Sequence, residues 1–421
     1  MSTPEILSLA LLAVVLALAM WRDINVGLAA LPASFVLAAA AGLPQEQVLA
    51  GFPADLVLLL LGVMYLFGHA QRSGAVDRLV HGVMRVSGKR DWLLPWSMFV
   101  VCAAISAVGT LPGAAVAVVL PVVMRVARTR GIDPVLMAVV SCSGAGVGGF
   151  SPLSPWGAMV DKLTAKVGVA YSPGLLFIGL AVVKTLITVV AFFALGGLRL
   201  IREGRTRAEA ARAVPELRGA APISRYEIGS LLGLAVFIVS VLVFDLDVGY
   251  ISLLLGLALQ VLFRPDPKRV ISELPWAVVL LTAGIMVYVA VLEKTGVLRT
   301  MAGHLTDIDH TLLAVLAIGY LAAFFASIES STLAVLGLVV PLLAAVLPHE
   351  SAQQFTVLLI VVLATIGAVV INPLHLGGGL VLANTDEENS PRVFRWMMTW
   401  SVGAGVLLPP ALLVLPLASG I

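Results

Sequence analysis

Long apolar runs, separated by short polar segments, follow one another along the whole chain. A helix needs about 20 apolar residues to cross a bilayer, and the runs occur in the same order in each half of the sequence. In the first half they cover 5–21, 25–42, 54–71, 93–130, 134–168 and 173–198. In the second half they cover 227–244, 249–263, 275–292, 310–348, 353–384 and 393–417. The pattern predicts an all-α polytopic membrane protein.

Two of these runs contain clusters of glycine and proline that a continuous helix does not accommodate. Residues 143–160 read SGAGVGGFSPLSPWGAMV, and residues 367–384 read GAVVINPLHLGGGLVLAN. A bilayer tolerates backbone outside a helix only where protein or a water-filled cavity satisfies its N–H and C=O groups. Interrupted spans at corresponding positions of two halves are the best sequence indication of a transporter's binding site. We therefore interpret both runs as broken helices beside a substrate site.

The two halves share one register over their first three runs. The matching landmarks are Val26-Gly27 with Val248-Gly249, Pro53 with Pro275, and GVMYLFGHAQRSGAVDRL from residue 62 with GIMVYVAVLEKTGVLRTM from residue 284. All three pairs are separated by one and the same offset in residue number. A constant offset across glycine, proline and methionine landmarks indicates an internal duplication rather than a chance likeness between apolar runs.

Lysine and arginine residues lie mainly on one side of the predicted membrane. They cluster at 72–90, 125–130 and 199–225, with few at the opposite ends of the runs. Under the positive-inside rule these clusters are cytoplasmic. Because basic clusters flank 93–130 on both sides, this run is predicted to enter and leave on the same face as a re-entrant hairpin. By symmetry, 310–348 is a second hairpin that enters from outside.

Each half then crosses the membrane five times, and this odd number makes the two halves inverted with respect to each other. Each inverted repeat has five spans, a re-entrant hairpin and a broken helix. We predict a first repeat over 1–203, a basic cytoplasmic linker over 204–225 and a second repeat over 226–421. Both termini are predicted to lie outside. The expected location is a bacterial inner (plasma) membrane, and the sequence leaves open whether the protein is a monomer or a homodimer.

Composition supports a membrane protein and argues against other classes. Only 12% of the residues are charged and 60% are hydrophobic, whereas soluble domains carry about 25% charged residues. Cys102 and Cys142 both lie inside apolar runs, so no disulfide or structural metal site is predicted. The expected partners are the lipid bilayer and a small carboxylate substrate, without nucleic acid. No cofactor is expected, apart from Na⁺ or H⁺ as the coupling ion.

The chemistry is expected where two hairpin tips and two helix breaks converge near the middle of the membrane. Half-helix N-termini present unpaired N–H groups and a positive dipole end, which suit a carboxylate. Half-helix C-termini and unwound carbonyl groups suit Na⁺. The candidate substrate-binding residues are Thr110, Gly113, Ser151, Ser154, Ser330, Ser331, Thr332, Asn372, His375 and Lys184. The candidate cation-binding residues are Gly149, Glu329, Asn372 and Gly377. The alternative for any one of them is a small residue that only lets helices pack closely.

Two charged candidates lie inside apolar runs without a charged counterpart in the other half. Lys184 lies near the middle of 173–198, where insertion scales put the penalty for a charge at roughly 2.5–3.5 kcal/mol. It is expected either to face an anionic substrate or to replace a cation. Glu329 at the second tip could carry a proton, ligate a cation or lie in a shallow, wet position. His375 could titrate near neutral pH or serve as a hydrogen-bonded structural residue.

These segments resemble a known family of carriers. The stretch GFPADLVLLLLGVMYLFGHAQRSGAVDRL, followed by GVGGFSPLSPWGAM, resembles the N-terminal region of the MatC-type dicarboxylate (malonate) carriers. The whole chain is similar to their parent ion-transporter superfamily, which includes divalent-anion/sodium symporters, arsenite pumps and sodium/proton antiporters. The resemblance implies Ser-Asn-Thr tripeptides at the hairpin tips that bind carboxylate and sodium. SST at 330–332 is close to this tripeptide, whereas GTLPG at 109–113 keeps only a threonine.

The sequence therefore predicts a secondary active transporter of small organic anions that works by alternating access. The expected substrates are dicarboxylates, malonate or a C4 acid, coupled to Na⁺ or H⁺. The alternative is a cation/proton antiporter or an inorganic-anion (arsenite-like) exporter of the same superfamily; such proteins often need buried acidic residues, and only Glu329 qualifies. An enzyme is not predicted, because the six histidines are scattered rather than clustered at one membrane face.

Overall fold

Helices make up nearly all of the structure. A computed structural model describes residues 3–22, 24–76, 78, 82, 90–202, 222–244, 246–274, 276–296, 311–328, 331–347, 351–373 and 375–418. No strand occurs within these residues. The helices of the first half are α1 (Thr3–Arg22), α2 (Val26–Ala40), α3 (Gln45–Leu49), α4 (Ala54–Ser73), α5 (Leu93–Ala107), α6 (Pro112–Arg130), α7 (Pro134–Gly148), α8 (Pro155–Lys166) and α9 (Pro173–Ala194). Those of the second half are α10 (Arg225–Leu242), α11 (Val248–Phe263), α12 (Pro267–Ser272), α13 (Trp276–Thr295), α14 (Thr311–Ile328), α15 (Thr332–Val346), α16 (Ala352–Val369), α17 (Leu376–Ala383), α18 (Ser390–Leu412) and α19 (Val414–Ala418).

Six helical stretches of the described residues are long and apolar enough to cross a membrane. They are Gln45–Ser73, Pro112–Arg130, Pro173–Ala194, Trp276–Thr295, Ala352–Val369 and Ser390–Ala418. The prediction of an all-α polytopic membrane protein is confirmed. Helix α6 is among the six, whereas the charge pattern predicts that it is one arm of a re-entrant hairpin; the re-entrant hairpin stays a prediction.

Polar caps fix where the corresponding helices of the two halves begin. Asn25 Oδ1 accepts a hydrogen bond from the N–H of Leu28 at the start of α2, at 3.2 Å. Asp247 Oδ1 accepts one from the N–H of Tyr250 at the start of α11, at 2.9 Å. Each cap satisfies an N–H group that has no carbonyl partner within its own helix. The two capping residues are separated by the same offset as the sequence landmarks.

The first four helices of each half keep this offset throughout. The starts of α1, α2, α3 and α4 precede those of α10, α11, α12 and α13, respectively, by this one offset. Helix α4 packs against α11, and α2 packs against α13. Because α2 corresponds to α11 and α4 corresponds to α13, the two packed pairs are equivalent under the exchange of the two halves.

Glycine lies at both of these helix crossings because the backbones approach closely there. A methyl group on Gly27 would overlap the carbonyl oxygen of Leu280, and one on Gly284 would overlap the carbonyl oxygen of Gly27. A methyl group on Gly62 would lie 2.5 Å from the carbonyl oxygen of Gly249. Small residues allow such close approach between membrane helices, and here they join the two halves of the chain.

Of the other helices, four in each half form a hairpin and a broken helix. Helices α5 and α6 flank the first tip (108–111), and α7 and α8 flank the first break (149–154). Helices α14 and α15 flank the second tip, and α16 and α17 flank the second break (370–375). Helix α8 packs against α15, and α17 packs against α6. Each hairpin therefore contacts the broken helices of both halves.

Part of the predicted organisation lies outside the described residues. Residues 204–221 of the predicted linker 204–225 belong to this part, and the described chain resumes shortly before α10. The boundaries of the repeats, their inversion and the side of the membrane on which the termini lie stay predictions.

Candidate functional site

The first break satisfies much of its backbone through its own turns. The N–H of Phe150 donates to the carbonyl oxygen of Val147 at 3.3 Å. The N–H of Gly157 donates to the carbonyl oxygen of Gly149 at 3.2 Å and so ties the start of α8 to the end of α7. A helix can be interrupted in a membrane protein only where its freed backbone groups find such partners.

The first tip lies directly against the first break. Gly109 has a φ of 125°, a conformation that residues with a side chain rarely adopt. A methyl group on Gly109 would lie 3.2 Å from the carbonyl oxygen of Leu153 in the break. A methyl group on Gly149 would lie 2.5 Å from Cγ of Pro112, the first residue of α6. Tip and break thus form one tightly packed junction.

Three buried hydroxyl groups at this junction have no hydrogen-bond partner among the described residues. They are Ser106 Oγ, Thr110 Oγ1 and Ser154 Oγ, and each of the three residues is at most 1% exposed. Buried polar groups are normally paired, and leaving one unpaired costs about 1–3 kcal/mol. The three hydroxyls therefore leave hydrogen-bonding capacity at this junction that the described residues do not use. Thr110 and Ser154 are among the binding residues predicted from the sequence, whereas Ser106 is not.

Ser106 lies within an apolar helix, where a single serine is not unusual. A methyl group on Gly148 would lie 2.8 Å from Cβ of Ser106, which places this serine beside the end of α7. A serine inside a helix often donates to a carbonyl one turn earlier, as Ser141 does to Met137 at 2.7 Å. Because this ordinary arrangement accounts for most such serines, no sequence signal distinguished Ser106.

Two further predicted residues of the first half are near the junction. Ser151 is 5% exposed, and its Oγ accepts a hydrogen bond from the N–H of Leu153 at 3.3 Å, so that it shapes the turn of the break. Gly113 is half-buried in the first turn of α6. Their predicted contacts with substrate stay predictions.

The second break is connected to the second hairpin by side chains. His375 Nε2 and Thr332 Oγ1 lie 3.3 Å apart, and Thr332 is the first residue of α15. The N–H of His375 donates to Asn372 Oδ1 at 2.9 Å. Asn372 Nδ2 donates to the carbonyl oxygen of Val369 at 3.4 Å. All three predicted residues are buried, at 8%, 3% and 2% exposure for His375, Thr332 and Asn372, and the structure brings them together.

The second tip is described only in part. Ser331 directly precedes α15 and is half-buried. Glu329 and Ser330 lie outside the described residues. Their predicted roles, in cation binding and substrate binding, stay predictions.

The two glycines predicted to bind a cation have different surroundings. The space next to the α-carbon of Gly149 is filled by Pro112 and Trp156. A methyl group built on Gly377, in the first turn of α17, would have no atom of another described group within 4 Å. Among the described residues, the space beside the α-carbon is therefore filled at Gly149 and open at Gly377.

Among the described residues, Lys184 contacts the second broken helix. It is 3% exposed, and its Nζ donates to the carbonyl oxygen of Gly367, near the end of α16, at 3.2 Å. The predicted contact of Lys184 with substrate stays a prediction.

Residues 1–149 match the family model of the N-terminus of the dicarboxylate carrier protein MatC. The N-terminal third of the chain is similar to dicarboxylate carriers. The match includes the first hairpin and ends at the first residue of the first break. The resemblance noted in the sequence is confirmed for this region.

The fold is similar to that of a solved membrane transporter. The chain superimposes on the crystal structure of the YdaH transporter of Alcanivorax borkumensis, described as having an unusual topology, with a TM-score of 0.55 and 15% identity. The match covers 97% of this chain and 98% of that transporter. No match was found among curated protein sequences. Together, the carrier model and the transporter fold support a membrane transporter rather than an enzyme.

Proposed function

We propose that the protein is a secondary active transporter of small organic anions, with dicarboxylates such as malonate or a C4 acid as substrates. Transport is coupled to Na⁺ or H⁺ and proceeds by alternating access. The observation that carries this proposal is the group of unpaired, buried hydroxyls of Ser106, Thr110 and Ser154 between the first tip and the first break. Hydroxyl donors inside an apolar surrounding suit an anion with several acceptor oxygens.

A dicarboxylate needs donors for two carboxylate groups, and the proposal assigns one group to each half. The hydroxyls of the first junction take one carboxylate. Thr332, His375 and Asn372 form the corresponding group of the second half. The packing of α8 on α15 and of α17 on α6 supports a single site between the two groups. The starts of α6, α8, α15 and α17 add N–H groups and positive dipole ends, which favour an anion.

The same proposal includes two inverted repeats, 1–203 and 226–421, with termini outside. The constant offset between the helix starts of the two halves supports the duplication. Exchanging the two halves converts the packed pair α4–α11 into the packed pair α2–α13, and this equivalence supports a two-fold relation between the halves.

The acidic residues of the described part favour anion transport over cation exchange. Asp91 and Glu227 are buried, at 3% and 5% exposure, but they pair with Arg130 and Arg78, respectively. Neither acid lies at a tip or a break. A cation/proton antiporter usually relies on buried acids at the site itself.

Uptake by proteoliposomes tests the proposed function. Labelled mono- and dicarboxylates are offered with Na⁺ and pH gradients imposed separately, and uptake of a dicarboxylate driven by one of the two gradients is expected. Uptake of none of the dicarboxylates under either gradient would contradict the proposal.

Matched variants test the site. Thr110→Val and Ser154→Ala are each expected to lower kcat/KM for uptake. The loss should correspond to about 1–3 kcal/mol of free energy, which is the cost of leaving a buried partner unpaired. Ser141→Ala is the control, since this buried hydroxyl already donates within its own helix. Equal uptake by all three variants and the wild type would remove the first junction from the site.

A further inference from the structure

The end of α16 lies inside the protein, and side chains of two other helices cap it. The carbonyl oxygen of Gly367 accepts from Lys184 Nζ at 3.2 Å. The next carbonyl, that of Ala368, accepts from Trp400 Nε1 at 3.1 Å. The carbonyl of Val369 then accepts from Ser401 Oγ at 2.9 Å. The last carbonyls of a helix have no partner within it, so these three donors complete the C-terminal end of the second broken helix.

The first broken helix ends differently. The N–H groups of Gly149 and Ser151 donate to the carbonyls of Ala145 and Gly148, both at 2.9 Å. The chain following α7 therefore caps its carbonyls with its own backbone. The two breaks are similar in sequence pattern, but only the second one takes an ammonium group at the corresponding place.

The ammonium group of Lys184 lies between the two broken helices. A methyl group on Gly146 of α7 would lie 2.6 Å from Nζ, and one on Gly367 of α16 would overlap it. The ring of Phe150, in the first break, has its centre 5.9 Å from Nζ. No carboxylate of the described residues forms an ion pair with Lys184. Among the described residues, the carbonyl oxygen of Gly367 at the end of α16 is therefore the polar partner of this group.

Such surroundings suit a positive charge. The C-terminal end of a helix corresponds to roughly half a negative elementary charge, concentrated on its unpaired carbonyls. A lysine ammonium is a compact charge with three donors. Half-helix C-termini with unwound carbonyls are also where transporters hold coupling cations. The glycines at 146 and 367 leave room for the ammonium group beside both helix ends.

We propose that Lys184 is a tethered cation that occupies, permanently, a cation position at the ends of the two broken helices. The second break then needs no mobile ion at the carbonyl of Gly367. Loss of the lysine is expected to create a site that a small soluble cation fills. The transport consequence rests on the proposed function, whereas the binding consequence is independent of it.

The binding consequence is tested by thermal unfolding of purified wild type and Lys184→Ala with ethylammonium chloride. The reference measurement uses N-methylglucamine chloride in place of ethylammonium chloride, at equal ionic strength. Lys184→Ala is expected to unfold at a lower temperature than the wild type. Ethylammonium is expected to raise its midpoint temperature of unfolding by on the order of 2 °C more than that of the wild type, since a ligand that binds only the folded state raises the midpoint. Lys166→Ala is the matched control, because Lys166 Nζ also donates to a backbone carbonyl, that of Met286, at 3.0 Å. No extra gain in Lys184→Ala, or the same gain in Lys166→Ala, would overturn the proposal.

A second variant separates charge from hydrogen bonding. Lys184→Gln keeps an N–H donor for the carbonyl of Gly367 but carries no charge, and it is expected to lose at least tenfold in dicarboxylate uptake. Wild-type uptake and stability in this variant would show that a neutral donor suffices and would overturn the proposal. If the wild type itself takes up no dicarboxylate, the proposed function fails, while the comparison of unfolding temperatures still decides whether Lys184 holds a cation position.

Discussion

At the scale of single residues, the two halves of the candidate site differ in how their polar groups are satisfied. The hydroxyls of Thr110 and Ser154 have no partner among the described residues. Thr332 in the second half is instead within hydrogen-bond distance of His375, whose backbone N–H donates to Asn372. An anion that enters between them would complete the first group and compete with the internal contacts of the second.

Thr332→Val tests the second group, because valine keeps the shape of threonine without its hydroxyl. We expect kcat/KM for uptake of the transported anion to fall by an amount that corresponds to on the order of 1–3 kcal/mol of free energy. The amount of protein in the membrane should change little. Thr332→Ser should restore most of the activity. Thr365→Val is the control, because the buried hydroxyl of Thr365 donates to Val361 within α16 at 3.0 Å. If Thr332→Val transports as well as Thr365→Val, the hydroxyl of Thr332 does not contact the substrate.

At the scale of helices, the site depends on how closely α5 and α7 approach. Gly144 and Gly148 of α7 are one helical turn apart and face α5. A methyl group on Gly144 would overlap the carbonyl oxygen of Phe99, and one on Gly148 would overlap that of Ala103. This small-residue spacing is typical of membrane helices in close contact. It holds the end of α7 beside the hairpin arm that carries Ser106.

Gly148→Ala should therefore separate the two helices. The added methyl group meets backbone atoms that no side-chain rotation can move, and overpacking of this kind typically costs about 1–3 kcal/mol. We expect a lower unfolding temperature and reduced uptake. Gly174→Ala, in the first turn of α9 with open space beside it, should leave both unchanged. Wild-type stability in Gly148→Ala would mean that α5 and α7 are not held together at this position.

An element could be predicted from the sequence where its cause lies in neighbouring residues, and could not where the cause is a contact with a distant helix. The two breaks could be predicted because glycine and proline within an apolar run are a local signal, as in 143–160 and 367–384. The donors that cap α16 could not be predicted, since Trp400 and Ser401 lie on another helix, far along the chain from the carbonyls that they reach. Ser106 was missed for a similar reason: its lack of a partner depends on what surrounds α5, not on the sequence of α5.

At the scale of the whole molecule, the halves are interlocked rather than placed side by side. Helix α2 packs on α13 and α4 packs on α11, while α8 and α17 each pack on a hairpin of the other half. Helices α1–α4 and α10–α13 pack mainly among themselves, but α13 also contacts α15 and α4 also contacts α8.

The arrangement in the membrane depends on whether α5 and α6 form a re-entrant hairpin. Arg90 precedes α5, and Thr129 lies in the last turn of α6; both are exposed. A hairpin that enters and leaves on one face places both on the cytoplasmic side, as expected from the basic residues around them. Ala170, in the exposed connection between α8 and α9, is then on the outer side.

Single cysteines at these three positions test this topology in a background in which Cys102 and Cys142 are replaced by serine. A membrane-impermeant maleimide applied to intact cells should label Ala170→Cys but neither Arg90→Cys nor Thr129→Cys, and all three should react once the membrane is permeabilised. Labelling of only one of Arg90→Cys and Thr129→Cys in intact cells would show that α5 and α6 together cross the membrane. The number of crossings in the first half would then be even, so that the two halves could not be inverted repeats. Labelling of both, with Ala170→Cys protected, would keep the hairpin and reverse the orientation of the chain.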